Sequence, residues 1–479
     1  MRKRNLHLHL HLKRFVCGST SSNHLISSAT NSSRPRNLAS APFVGDEAEA
    51  VASPRKEEVK KSEKVEDDVE APGISIGLNW ALAGRGVIVK DKAFLNLKPS
   101  ELRQKGATGA ESLSGLPVHV RGNVLGGSSE ISKAQFTFSG NIALNLEITF
   151  VEWVQKGVGW VTAHISSISI IFVHDGAIGS SPKCDAKVRI ISDSPSAVLS
   201  LSSVLWRTPT RAVSHDSCPL TIYVATSISP SAGDVLGLGA QGNNDFIAAD
   251  VERSSLILCG KAFTDAKGTK EALATLSGPI ITSRGGLPLS AGLLVSGESV
   301  ILLFASEDTI QSCSDMLVPG DPGVVLSSEG ASPLFHNGNC VGSYLSKLPA
   351  AVIFVSSDSS GTIPSASKLS PGQAAYHFLA GYQNGKFMPA YSLCPSAVDP
   401  LELAKVFLSK IKDDQIPSFL INISEGEKQI SGKDLVKFVQ STLLFKNIPP
   451  FEHKGGHLHK KYKSFLSTKF QQLPEEFSF

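Results

Sequence analysis

Short runs of branched apolar residues recur along the middle of the chain, each bounded by Ser, Pro, Gly or Asp: AKVRIIS (Ala186 to Ser192), LTIYVAT (Leu220 to Thr226), SSLILCG (Ser254 to Gly260), SVILLFA (Ser299 to Ala305) and AAVIFVSS (Ala350 to Ser357). Unbroken apolar runs of this length predict strands covered on both faces. The stretch SVILLFASEDTIQSC (299 to 313) reads as such a strand, then a turn, then a helix. In SPGQAAYHFLAG, Ser370 is a cap, Pro371 the first helical residue, Gln373 the third member of a capping box and Gly381 the stop. A second helix is predicted from Asp399, with Pro400 first, Glu402 closing another capping box, and Leu401, Ala404, Leu408 and Ile411 as its apolar face. Strands alternating with helices and no internal repeat give a mixed α/β protein with large sheets.

The first 72 residues break this pattern. Residues 1 to 45 carry Arg2, Lys3, Arg4, Lys13, Arg14, Arg34 and Arg36, many serines and no acidic residue, the composition of a disordered tail or of an organellar transit peptide. In LHLHLHL (Leu6 to Leu12) an extended chain places His7, His9 and His11 on one face, but no fold is expected there to hold a metal. RKEEVKKSEKVEDDVE (Arg55 to Glu70) mixes both signs with valine as its only apolar residue and reads as a solvated linker.

Composition adds limits rather than chemistry. A chain of 479 residues, 41% hydrophobic and 19% charged, with a net charge of +3, is ordinary globular material and offers no argument for nucleic acid as a partner. No apolar run approaches the roughly 20 residues of a membrane helix. Seven cysteines without a CxxC pair point to a reduced compartment, the cytoplasm, with mitochondrion or plastid as the alternative if the basic N-terminus is a targeting signal.

Most local motifs are decoys. GLGAQG (Gly237 to Gly242) satisfies G-x-G-x-x-G, yet neither a strand before it nor a helix after it is predicted. There is no G-x-S-x-G or H-E-x-x-H. His377 falls inside a predicted helix and is expected to be packed and bonded to backbone, while His119, His174 and His215 each stand alone.

The order of segments carries more. Residues 171 to 210, then LTIYVAT, SSLILCGKAFTDAKGTKEAL, GESVILLF and finally AAVIFVSSDSSGTIPSASKLSPGQAAYHFLAGY resemble the ATP-dependent phosphoenolpyruvate carboxykinases over about residues 100 to 440. The last piece is the most specific. Asp358, Gly361, Pro364, Ser367, Lys368, Leu369, Tyr376, His377 and Phe378 match that family's acidic strand end, Gly-x-x-Pro-x-x-Ser-Lys-Leu turn and Tyr-His-Phe helix. The resemblance implies a two-domain α/β scaffold: an extension and linker over 1 to 72, an N-terminal domain over 73 to 295, and a shortened, degenerate P-loop-type nucleotide domain over 296 to 479. It also implies a gluconeogenic reaction, oxaloacetate and ATP to phosphoenolpyruvate, ADP and carbon dioxide, with Mg or Mn.

Against that pattern the chemistry is depleted. Where the family has a Gly-x-x-Gly-x-Gly-Lys-Thr phosphate loop, this chain has Ala305, Ser306, Glu307, Asp308 and Thr309, two carboxylates where a polyphosphate belongs. The metal-binding histidine has no equivalent in KGTKEALATLSG, and SSEGASP (Ser327 to Pro333) puts Glu329 in the place of the phosphoryl-stabilising arginine. Lys267, Lys270 and Arg121 remain as candidate catalytic residues, Arg121 one position out of register. Phe136 to Val161, with Trp153 and Trp160, has no counterpart and reads as an inserted hairpin or as translated non-coding sequence. The expectation is a pseudoenzyme with no bound ATP or metal, acting on a protein partner or a metabolic enzyme; the alternatives are a metal-assisted oxaloacetate decarboxylase or a dicarboxylate sensor.

Overall fold

The computed structural model describes residues 76–479 apart from 117, 122–135, 139–156, 182, 208–219, 229–244, 297–298, 314–316, 318–322, 337–346, 384, 393–395, 426–427, 430–433, 440–447 and 453–455. Val69–Phe479 form one compact unit. GLGAQG, His215, Trp153 and the N-terminal histidines lie outside the described residues.

Its first half is a nine-stranded mixed sheet. The strands are β1 (Lys92–Leu95), β2 (Val118–Arg121), β3 (Phe136–Phe138), β4 (Ile170–Ile178), β5 (Ala186–Ser192), β6 (Trp206–Arg207), β7 (Leu220–Ala225), β8 (Phe246–Asp250) and β9 (Ser255–Cys259), in the order β1-β4-β5-β7-β9-β8-β2-β3, with β6 beside β4. The runs AKVRIIS, LTIYVA and SLILC are buried at every position, as continuous apolar strands require. Helices lie on both faces: α1 (Ile76–Ala83) packs on the face of Ile171 and Val173, and α2 (Pro99–Gln104) on the face of Phe94 and Phe172. Residues 157–167 form helix α3 on the α1 side, and α4 (Pro195–Ser202) follows β5 on the α2 side.

Of the stretch read as an inserted hairpin, 139–156 lie outside the described residues; β3 runs parallel to β2, with Val118 opposite Phe136, and 157–161 belong to α3, with Trp160 packed against its cluster.

Helix α5 (Ala266–Ser283) leads into a second set of strands: β10 (Leu287–Leu289), β11 (Gly292–Ser296), β12 (Ser299–Phe304), β13 (Val324–Ser327), β14 (Gly330–Pro333), β15 (Ala351–Ser356), β16 (Ala366–Leu369), β17 (Tyr382–Gln383), β18 (Lys386–Phe387) and β19 (Ser418–Asn422). Five form a sheet ordered β11-β12-β15-β19-β16, in which β12, β15 and β19 are parallel neighbours, and β10-β13-β14 form a small antiparallel sheet. Its core is aromatic, with Phe304 stacked on Phe354 at 5.1 Å and Phe378 on Phe407 at 4.7 Å.

The short helix α6 (Glu307–Ser312) follows β12, and helix α7 (Pro371–Ala380) forms as its sequence predicts. Ser370 and Gln373 make both capping-box bonds, and Gly381 ends the helix at φ 56°, where an added Cβ would overlap the Met388 carbonyl. Helix α8 (Pro400–Asp413) differs from expectation in two details. Asp399 caps the amide of Leu401, while Glu402 turns to Lys405 at 2.7 Å instead of closing a box. Its buried face is Leu403, Ala404, Phe407, Leu408 and Ile411; Leu401 lies at the margin.

Candidate functional site

Two turns follow neighbouring parallel strands, β12 and β15, on the same edge of the five-stranded sheet. In open α/β sheets ligands bind outside the carboxyl ends of such strands.

The first turn is Ala305 and Ser306, after which α6 (Glu307–Ser312) begins at once. Ser306 is an ordinary N-cap: its Oγ accepts from the Thr309 amide at 3.3 Å and lies 2.8 Å from the Thr309 hydroxyl. Ala305 and Ile310 are buried in the apolar layer beneath and hold the turn close to the sheet. Glu307 and Asp308 occupy the first helical turn, where their charge suits the helix dipole. A phosphate loop needs successive free amides and a lysine; here a hydroxyl takes the amide of Thr309 and carboxylates take the electrostatic role.

Lys267 comes to this turn from α5. Asp265 caps that helix, accepting from the amides of Gly268 (3.0 Å) and Leu116 (2.9 Å), which fixes the direction of its first turn. Lys267 Nζ lies 2.5 Å from Glu307 Oε1, with both side chains well exposed. Lys270 sits half-buried one position before Glu271 on the same helix. Arg121 ends β2 opposite Asp250 in the ladder, and its side chain is outside the described residues. Of the three candidate catalytic residues, then, the fold brings Lys267 to the turn after β12, already paired with Glu307.

Glu271 escaped the sequence reading. One turn from Lys267, it has its carboxyl pushed up to about 7 by burial, then held down somewhat by Lys267 and raised further by Glu307 and Asp265. The Lys267/Glu271 spacing of four was the available signal.

Glu329 sits in the turn between β13 and β14, where Lys183 (2.7 Å) and the Ser181 hydroxyl (2.8 Å) engage it; these hydrogen bonds hold its carboxyl below the usual range. The carboxylate standing where the resemblance puts an arginine is thus itself neutralised by a lysine.

The second turn follows β15 and is dense with bonds. Asp358 is buried; one oxygen accepts from Ser360 N (2.9 Å), the other from Thr362 N (2.9 Å) and Ile363 N (2.8 Å). Asn422, at the end of β19, accepts from the Asp358 amide (2.8 Å) and donates to the carbonyls of Asp358 (2.8 Å) and Ile363 (3.1 Å). Gly361 supplies the φ of 72° the turn requires. Lys368 is exposed on β16, while Tyr376, His377 and Phe378 are buried.

His377 departs from expectation in its bonding. It is packed, 1% exposed, among the rings of Phe451, Tyr462 and Phe479 at 5.3 to 5.4 Å, but its Nε2 has no hydrogen-bond partner among the described residues. Burial pulls it down to about 3, so it is a neutral core residue.

Neither site holds a recognisable metal cluster: among the described residues no group of three or more His, Cys, Asp or Glu converges. No helix among them is long and apolar enough to cross a membrane.

Residues 327–434 match the family model described as phosphoenolpyruvate carboxykinase. The phosphoenolpyruvate carboxykinase (ATP) of Flavobacterium johnsoniae is 31% identical over 115 residues, 21% of this chain and 22% of that protein. That of Christiangramia forsetii is 29% identical over the same shares, and that of Leptospira biflexa 32% identical over 103 residues, 19% of each chain. The aligned stretch spans about a fifth of the length of these relatives. The turn at Ala305 and Ser306 and Lys267 lie upstream of the matched residues. Inside them are β15, the Asp358 turn, the Tyr376 to Phe378 helix and β19, and over this stretch the chain is similar to the phosphoenolpyruvate carboxykinases.

Proposed function

We propose that the chain is a catalytically impaired relative of the ATP-dependent carboxykinases, with a scaffold or regulatory role toward a protein partner. The observation that carries this reading is the turn after β12: Ser306 uses the Thr309 amide, and Lys267, the cation available to a phosphate, is held by Glu307. A polyphosphate approaching there meets Glu307 and Asp308 at close range, an electrostatic term of the wrong sign for phosphoryl transfer. ATP with Mg or Mn therefore does not fit the residues present, and no catalytic step is assigned through them.

The same pairing counts against decarboxylation or dicarboxylate sensing by Lys267, Lys270 and Arg121, because binding a substrate carboxylate there has to displace Glu307 first. Thermal unfolding of the full chain with and without ATP and manganese tests the reading. The expected result is an unchanged transition; ligand at about 100 times its dissociation constant would add about 2.7 kcal/mol, and a rise of that size overturns the proposal.

A further inference from the structure

Among the described residues, strand β1 is an edge of the nine-stranded sheet. Among the described residues its partner is β4, in parallel register from Lys92 opposite Ile170 to Leu95 opposite Val173, and β6 occupies the edge of β4 only farther along, at Gly176 and Ala177. The amides of Lys92 and Asn96 donate to the carbonyls of Ser169 (3.0 Å) and Val173 (2.9 Å). Alternation along a strand then turns the N–H and C=O groups of Ala93 and Leu95 the other way, out of the sheet.

The side chains along this edge are of two kinds. Leu95 is 40% exposed, Ile170 beside Lys92 is 42% exposed, and Ile88, four residues ahead of the strand, is 70% exposed. Ala93 and Leu95 point to the face covered by α1 and α3; Lys92 and Phe94 point to the face of α2, where Lys105 Nζ lies 4.7 Å from the Phe94 ring centroid. Residues 85 to 105 hold six Lys or Arg against two acidic residues, and one of those two, Glu101, is committed to the amide of Lys98 at 2.6 Å. Lysines on an edge discourage in-register parallel self-pairing, which sets Lys92 beside its own equivalent. They favour an acidic strand.

We propose that β1 accepts an extended segment of a partner protein as an added strand, with apolar side chains against Leu95 and acidic side chains against Lys92 and Lys105. Main-chain bonds to Ala93 and Leu95 supply affinity, and the two unlike faces supply selectivity. This names the class of partner for the scaffold role proposed above and rests on that role.

The test uses the full chain and two short fluorescent peptides, one alternating valine with glutamate and one alternating valine with lysine. Anisotropy titrations are run beside thermal melts, with amide exchange read at Ala93 and Leu95. The acidic peptide binds and protects both amides, and the basic one does not. Lys92→Glu with Lys105→Glu weakens the acidic peptide by about tenfold or more. Leu95→Pro removes one outward amide while sparing the bonds to β4, so binding is lost and the melt is kept. No binding of the acidic peptide, equal binding of both peptides, or full binding by a folded Leu95→Pro variant overturns the inference. So does self-association in sedimentation velocity that Leu95→Pro abolishes, because a second copy then covers the edge. The ATP and manganese melt reports on the impaired site alone: a rise there with peptide bound sinks the impaired-enzyme reading, whereas an unmoved melt with no peptide bound sinks only the edge.

Discussion

The turns after β12 and β15 are neighbours in one sheet, yet they have fared differently against the family pattern. After β15, Asp358 is buried and satisfies three backbone amides, and Asn422 locks the same turn from β19. After β12, Ser306, Glu307 and Asp308 are half-buried or exposed and engage mostly their own helix and one surface lysine. A residue that closes a buried hydrogen-bond network is needed for folding whatever the protein does, and leaving its partners unsatisfied is costly. A residue that serves only a bound phosphate loses its constraint once the phosphate is gone.

This contrast is broken most directly at Asp358. Asp358→Ala leaves three amides without their acceptor, two of them buried, and urea unfolding is expected to show a loss of about 3 kcal/mol or more. A loss below that of the Ser306 variant would erase the distinction between the turns. Next in size is the pH dependence contributed by Glu271. Its folded carboxyl titrates at about 7 against an ordinary 4.5, so the stability it adds is fully present below pH 4.5 and is lost as pH rises through about 7. Because the group is half-buried and screened, wild type and Glu271→Gln should diverge by on the order of 1–2 kcal/mol between these limits, measured by melts across pH.

Ser306→Ala removes an N-cap and should cost about 1 kcal/mol, with Ser306→Gly costing only a few tenths, both read by urea unfolding. Smallest is the pair between Lys267 and Glu307. Both side chains are well exposed, so a double-mutant cycle on Lys267→Ala and Glu307→Ala should return a coupling below about 1 kcal/mol that shrinks with salt. A larger, salt-independent coupling would make the loop as structurally committed as the Asp358 turn.

The elements legible in the sequence were those specified locally. Apolar runs gave β5, β7, β9, β12 and β15 nearly to the residue, and the Ser370, Pro371, Gln373 and Gly381 signals gave α7 with its caps. Local signals failed where one side chain has two partners within reach: Glu402 pairs with Lys405 rather than closing the expected cap.

By itself, then, the sequence determined the strands, the capped helices, the adjacent carboxylates of Glu307 and Asp308 and the residues that match the carboxykinase pattern, because each is written in neighbouring positions. Only the tertiary structure decided that Lys267 on α5 meets Glu307 on α6, that Asn422 closes the turn begun by Asp358, that His377 is walled in by Phe451, Tyr462 and Phe479, and that β1 is an edge among the described residues. Those contacts join residues 40 to 102 positions apart or depend on sheet order, and no local periodicity encodes which distant segment a strand or helix will pack against.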